Sequence, residues 1–163
     1  MPPSSSCSDQ RVVSPRDDLA RRAISRYPLQ LRTRILYSDI DAFRHVNNIA
    51  YSRWFEEGRA ANNIEVFGPD SLLAPRDGQQ LLLAASHVHY LESADYPGEV
   101  VSATAVGRIG TTSYDLWHGV FHRDGVCCAI GDSVFVKARH GRPEPLTDAE
   151  RQGLTERQFL PQP

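Results

Sequence analysis

The chain has 163 residues, the length of a single domain, and its 40% hydrophobic and 23% charged residues are ordinary globular usage that excludes wholesale disorder. Its 18 Lys and Arg against 20 Asp and Glu leave a formal net charge of −2, without the basic excess of a general nucleic-acid binder. No apolar run reaches the ~18 residues of a membrane span, and the three cysteines, Cys7, Cys127 and Cys128, match neither a disulfide framework nor a zinc site.

Residues 1–14 are rich in Ser and Pro and read as a tail, with none of the apolar stretch of a signal peptide. Adjacent Cys127 and Cys128 point to opposite faces of a strand, so reduced structural thiols and a cytoplasmic location are expected. Ser14-Pro15 followed by Asp17 and Asp18 predicts a short helix that ends near Tyr27-Pro28. From Leu29 the period changes to two: Leu29, Leu31, Thr33, Ile35 and Tyr37 alternate with polar residues, the pattern of a half-buried strand.

A polar loop follows, then the clearest helix, predicted over Asn48 to Phe67. Tyr51, Trp54, Phe55, Gly58, Ala60 and Ala61 form its apolar stripe, Asn47 or Asn48 is its N-cap, and Gly68-Pro69 stops it. Arg53 lies within ion-pair reach of Glu56 and Glu57 on the helix surface. Four strands are predicted next, over 80–92, 98–109, 113–123 and 126–139, joined by Gly-containing turns that include Arg123-Asp124-Gly125. An extended HGRPEPL segment leads to a last short helix capped by Thr147. One helix against this many consecutive strands requires the sheet to curl, so the predicted fold is α+β: a curved antiparallel sheet of about five strands around one long central helix. Its open edge strands would need a partner chain to cover them.

Between the first strand and the long helix, Asp39, Asp41, His45, Asn47 and Asn48 fall within ten residues. A helix start offers unpaired N–H groups and a partial positive charge, which polarise a carbonyl and stabilise an oxyanion. A nearby carboxylate can act as nucleophile or general base, so the loop points to acyl transfer or hydrolysis without metal or cofactor. The same residue types also serve as a plain turn and helix cap. His87 and His89 alternate on one strand face as a metal pair could, but no third ligand is evident.

DIDAFRHVNNIAYSRWFEEGR resembles the signature of the hotdog-fold acyl-CoA thioesterases, the 4-hydroxybenzoyl-CoA thioesterase-like group: Asp-x-Asp-x-x-Gly-His-Val-Asn-Asn-x-x-Tyr, an aromatic pair, then Glu-x-x-Arg. SHVHYLESADYPGEVV is similar to the group's strand-turn-strand segment. GRIGTTSYDLWHGVFHRDGVCCAIGDSVFV is similar to its Ile-Gly-x-x-Ser hairpin and closing strand, and RPEPLT to its exit. The resemblance covers about residues 28–146, which divides the chain into an N-terminal tail with room for a short helix over 1–27, a hotdog domain over 28–146, and a short helix and tail over 147–163.

The resemblance implies an acyl-CoA or acyl-carrier-protein thioesterase that works as a homodimer or homotetramer, with a tunnel at the subunit interface, no cofactor, and neither nucleic acid nor membrane as partner. Asp41 is then the catalytic carboxylate, and N–H groups near Asn48 to Ala50 hold the carbonyl oxygen. His45, Asn47, Asn48, Ile49 and Tyr51 shape the substrate site, and Thr112 and Ser113 approach the thioester, from the partner subunit in one arrangement. Lys137 and Arg139, at the end of the closing strand, are the expected contacts for CoA phosphates. The alternative is a non-catalytic module of the same fold that binds acyl-CoA as a sensor or in assembly. Arg44 stands where the group usually has Gly, and Asn48 stands where related enzymes carry an acid/base His. If that position is left-handed, Arg costs about 1 kcal/mol or more there.

Overall fold

The computed structural model describes residues 14–73, 76–122 and 125–161. Its main elements are β1 (Leu29–Arg34), α1 (Asn48–Phe67), a one-turn α2 (Asp70–Leu73), β2 (Gln79–Tyr90), β3 (Glu99–Ile109), β4 (Ser113–Phe121), β5 (Cys127–Arg139), a two-residue β6 (Arg142–Pro143) and α3 (Asp148–Thr155). The strands form one antiparallel sheet in the order β1-β3-β4-β5-β2, with β6 paired to the end of β5. The curled sheet packs against α1, the hotdog arrangement expected from the sequence.

The α1 boundaries match the predicted ones, and Gly68 ends the helix at φ 83°, a conformation that glycine adopts freely. Its packing face is Tyr51, Trp54, Phe55, Gly58, Asn62 and Asn63, all buried. Ala60 and Ala61, expected in the stripe, are only half-buried, and the two asparagines take the place at the C-terminal end. Asn63 is tolerated there because its Oδ1 accepts a 2.7 Å hydrogen bond from the buried Tyr114 hydroxyl. The helix approaches β3 closely at Gly58, where a Cβ would collide with Thr104 Oγ1. Phe55 lies over Gly131 of β5 in the same way, its ring edge 2.8 Å from where a Cβ would be.

The expected N-terminal α-helix is instead three 3-10 turns, Pro15–Asp17, Leu19–Arg22 and Ile24–Arg26. Ser14 makes no side-chain cap; Asp18 caps the second turn through a 3.0 Å bond from Ala20 N and interrupts the helix in doing so. These turns lie on the outer face of the sheet. Arg21 pairs with Asp132 at 2.7 Å, donates to Gly131 O at 2.6 Å and lies 5.0 Å from the Trp117 ring. Tyr27 and Phe159 meet edge to face at 5.0 Å over Phe121 and Trp117. Segments from both ends of the chain therefore cover the outer face, and β3 is buried along most of its length rather than alternating. Cys127 packs in this outer cluster and Cys128 in the inner one, both buried and unbridged. Cys7, the tail over 1–13 and Arg123 and Asp124 of the hairpin turn lie outside the described residues.

Candidate active site

Asn47, in extended conformation, caps α1: its Oδ1 accepts from Ile49 N at 2.9 Å and its carbonyl accepts from Ala50 N at 3.0 Å. Of the N–H groups from Asn48 to Ala50, only that of Asn48 makes no hydrogen bond among the described residues. The expected set of carbonyl-holding donors thus narrows to one, because the cap that starts the helix occupies the other two.

Asp41 closes the preceding loop. Its Oδ1 accepts from Phe43 N at 2.8 Å and His45 N at 3.2 Å, while its own N–H donates to His45 O at 2.9 Å. Its second carboxylate oxygen accepts no bond among the described residues. Arg44 sits inside this turn at φ 64°, the left-handed conformation that the usual Gly would adopt without strain. Asp39 is oriented the opposite way. It is buried, its Oδ2 accepts from Leu36 N at 2.8 Å, and its Oδ1 pairs with Arg53 at 2.7 Å. Arg53 therefore reaches back to the loop rather than along the helix to Glu56 and Glu57, and Asp39 ties the loop to α1.

Asp41, His45, Asn48 and Tyr51 line one open cleft of about 460 Å³ with Tyr90 and Glu92. Tyr51 is buried at its floor, packed edge to face on Trp54 at 5.2 Å and on Tyr90 at 5.4 Å. Burial pushes its phenol up to about 12, so it stays protonated at neutral pH. Ile49 projects outward, 69% exposed, on the helix turn beside Asn48. Tyr90, Glu92 and Ser93 line the cleft from the end of β2, and the sequence reading did not place them there. The alternation of β2 marks the side chain of Tyr90 but does not say which loop faces it, because that depends on the curl of the sheet.

Thr112 and Ser113 are not brought to this cleft within one chain. Ser113 pairs with Val136, which pairs with Leu82, eight residues along β2 from Tyr90, or roughly 26 Å of strand. Lys137 and Arg139, expected at CoA phosphates, are engaged inside the chain. Lys137 is 3% exposed, with its ammonium 2.9 Å from Glu150 and 3.4 Å from Glu144. Arg139 holds Glu144 at 2.7 Å and donates to Asp77 O at 2.8 Å. Lys137 in particular is a structural ion-pair residue, closed off because α3 and the segment leading to it fold over the end of β5. His87 and His89 lie on β2, and among the described residues no group of three or more His, Cys, Asp or Glu is placed to hold a metal ion.

A second buried polar cluster also escaped sequence reading. His118 is fully buried beneath α1, its ring nitrogens 3.1 Å from Thr104 Oγ1 and 3.1 Å from Ser133 Oγ. Burial, with the added charges of Arg59 and Arg21, pushes its pKa well below the ordinary imidazole value and keeps it neutral. It does not line the cleft, so its role is to satisfy the polar interior between helix and sheet.

The family model of the thioesterase-like superfamily matches residues 35–154, from the residue after β1 into the last helix. The chain belongs to the thioesterase-like superfamily. A predicted thioesterase from Bacillus stearothermophilus is 33% identical over 82% of this chain and 100% of that one, with a TM-score of 0.70. A thioesterase from Thermus thermophilus, solved in complex with coenzyme A and Zn, is 26% identical over 78% of this chain and 98% of that one, with a TM-score of 0.68. A gentisyl-coenzyme A thioesterase is 19% identical over 77% and 99% of the two chains at a TM-score of 0.67, a likeness of fold alone. No curated protein matches the chain. Among the described residues of this superfamily member, no helix is long and apolar enough to cross a membrane.

Proposed function

We propose that this superfamily member hydrolyses the thioester of an acyl-CoA, or of an acyl-carrier protein, to a free acid and a thiol. The observation that carries the reading is that the Asp41 carboxylate and the start of α1, with its one unengaged N–H at Asn48, line the same cleft. The thioester carbonyl oxygen accepts from Asn48 N–H at the positive end of the helix, which stabilises the charge that grows on it during attack. Two backbone N–H bonds hold Oδ1 of Asp41 and fix the carboxylate's direction, and its second oxygen is left to act. That oxygen either attacks the carbonyl carbon or takes a proton from a water that does so. The C–S bond then breaks and the thiolate departs; in the first route water hydrolyses the acyl anhydride left on Asp41 to the free acid, and in the second Asp41 passes the proton it took to the leaving thiolate. Tyr51 and Tyr90 form the apolar wall for the acyl group, and His45 flanks the cleft.

The working unit in this reading is a dimer. β2 presents 12 residues at the edge of the sheet, with Leu82 43% and Leu83 47% exposed, and a second copy pairing there covers both the edge and the apolar side chains. Such pairing also gives Thr112 and Ser113 of the partner a route to the cleft that they lack within one chain. The test is release of free thiol from a panel of acyl-CoAs by the wild type and by Asp41→Asn. This change keeps the side chain's shape and removes its charge. We expect kcat to fall by about 10²–10⁴ with KM little changed. Hydrolysis unaffected by Asp41→Asn removes the residue from the mechanism. Coenzyme A binding without thiol release across the panel makes the protein a binding module instead.

A further inference from the structure

A second cleft, of about 470 Å³, lies between the 34–37 and 96–99 segments, which lead into and out of the loops that carry the candidate active site. Arg34, Tyr37, Tyr96 and Glu99 line it. Tyr37 is four residues before Asp41, and Tyr96 is three residues after Ser93. Two short stretches of chain thus separate this cleft from the first, at most about 14 Å of extended backbone from Tyr37 to Asp41.

Its chemistry differs from that of the first cleft. Tyr37 and Tyr96 meet edge to face at 5.9 Å, yet they are 79% and 47% exposed, so much of each side chain is open to solvent. Exposed aromatic faces are stacking platforms for nucleobases. Arg34 and Arg32 flank the same corner, with side chains 84% and 75% exposed. Among the described residues they approach only one carboxylate, Glu99, at 4.0 Å and 3.8 Å, pairs too long and too solvated to neutralise them. Lys137 and Arg139, by contrast, are held at short range by Glu144 and Glu150. The patch sits beside β1, at the far edge of the sheet from β2, so a dimer formed through β2 leaves it open.

We propose that this cleft binds the nucleotide end of coenzyme A, with the adenine stacked on Tyr37 and bordered by Tyr96, and the phosphates held by Arg34 and Arg32. The pantetheine arm then runs along the 37–41 and 93–96 segments to bring the thioester to Asp41. The assignment rests on the reading of the first cleft as a thioesterase site. It predicts that a substrate lacking the nucleotide ignores these residues.

The experiment compares an acyl-CoA with the matching acyl-N-acetylcysteamine thioester on the wild type, Tyr37→Ala, Arg34→Glu and Glu99→Gln. Coenzyme A binding is measured on the same proteins by equilibrium dialysis. Tyr37→Ala and Arg34→Glu should each raise KM for the acyl-CoA about tenfold, as the loss of a stacked base or a charge-assisted phosphate bond does. Their kcat, and the KM for the short thioester, should stay at the wild-type values. Glu99→Gln should lower KM for the acyl-CoA about twofold, a gain that a damaged fold does not produce. An equal change for both substrates, no change for either, or a selective change caused by Arg44→Ala instead would overturn the assignment. If the wild type hydrolyses neither substrate, the catalytic reading fails separately. Coenzyme A binding weakened by Tyr37→Ala and Arg34→Glu then still supports the site, and binding unaltered by them, or absent from the wild type, overturns it.

Discussion

Two polar clusters of this protein look alike as sequence and differ as structures. The loop before α1 carries Asp39, Asp41, Arg44, His45, Asn47 and Asn48; the end of β5 and its exit carry Lys137, Arg139, Arg142, Glu144 and Glu150. In the second cluster the central charges find partners at short range, and Lys137 disappears from the surface. In the first, half of the groups are consumed in holding the loop, and those left lining an open cleft include one Asp41 carboxylate oxygen and the Asn48 N–H. A polar cluster is a candidate for chemistry to the extent that its hydrogen-bonding capacity is left over after the fold has been satisfied, and the loop before α1 leaves such a remainder at its cleft.

The sharpest way to break the contrast is Lys137→Met. Removing one member of a buried ion pair leaves Glu150 without its counter-charge, so stability should fall by about 3 kcal/mol, read by urea denaturation. KM for an acyl-CoA should not move. A rise in KM with little loss of stability would return Lys137 to the substrate site.

The buried His118 cluster offers a test through pH. The folded state holds the imidazole neutral well below its ordinary value of 6.5, whereas the unfolded chain takes up a proton near that value. Below about pH 6.5 the unfolded state therefore binds more protons, and stability should fall with pH by up to about 1.4 kcal/mol per unit until the folded-state pKa is reached. Thermal melts of wild type and His118→Gln between pH 7.5 and about 5 should show the variant with the shallower slope. Equal slopes would mean that His118 is not held neutral.

Asp39→Asn sharpens the comparison inside the loop. It weakens a charged hydrogen bond to Arg53 and one to Leu36 N, for a loss of about 1–2 kcal/mol in a urea melt, and thioester hydrolysis should persist in the folded fraction. Loss of activity without loss of stability would exchange the roles given to Asp39 and Asp41. The smallest effect is expected at Arg44. Arg44→Gly relieves a left-handed side chain at φ 64° but adds freedom to the unfolded chain, for a net gain of about 0.5 kcal/mol, visible as a small rise in Tm. A destabilised Arg44→Gly would show that the arginine side chain makes a contact worth more than its strain.

The elements and their order are written in the residues themselves. Alternation marks β1, Gly-containing turns mark off the later strands, the stripe from Tyr51 to Gly58 marks the buried face of α1, and Asn47, Gly68 and Thr147 mark ends that the structure keeps. These are local signals: a face or a cap depends on residues a few positions apart, and one long helix followed by four consecutive strands leaves few ways to bury both. The left-handed turn at Arg44 is raised only by the resemblance, which puts a Gly at that position, and the structure has it at φ 64°. Which charged groups are available was settled only by long-range packing. Nothing in the residues around Lys137 says that α3 will bring Glu150 to 2.9 Å, that Arg53 will turn back to Asp39, or that Asn63 will meet Tyr114. The same packing brings Ile24, Tyr27 and Phe159 over the outer face of the sheet and sets Tyr90 and Glu92 opposite Asp41. Periodicity reports which way a side chain points from its own element. What it meets there is set by the curl of the sheet and by segments up to 134 residues distant in the chain, as Arg26 and Leu160 are.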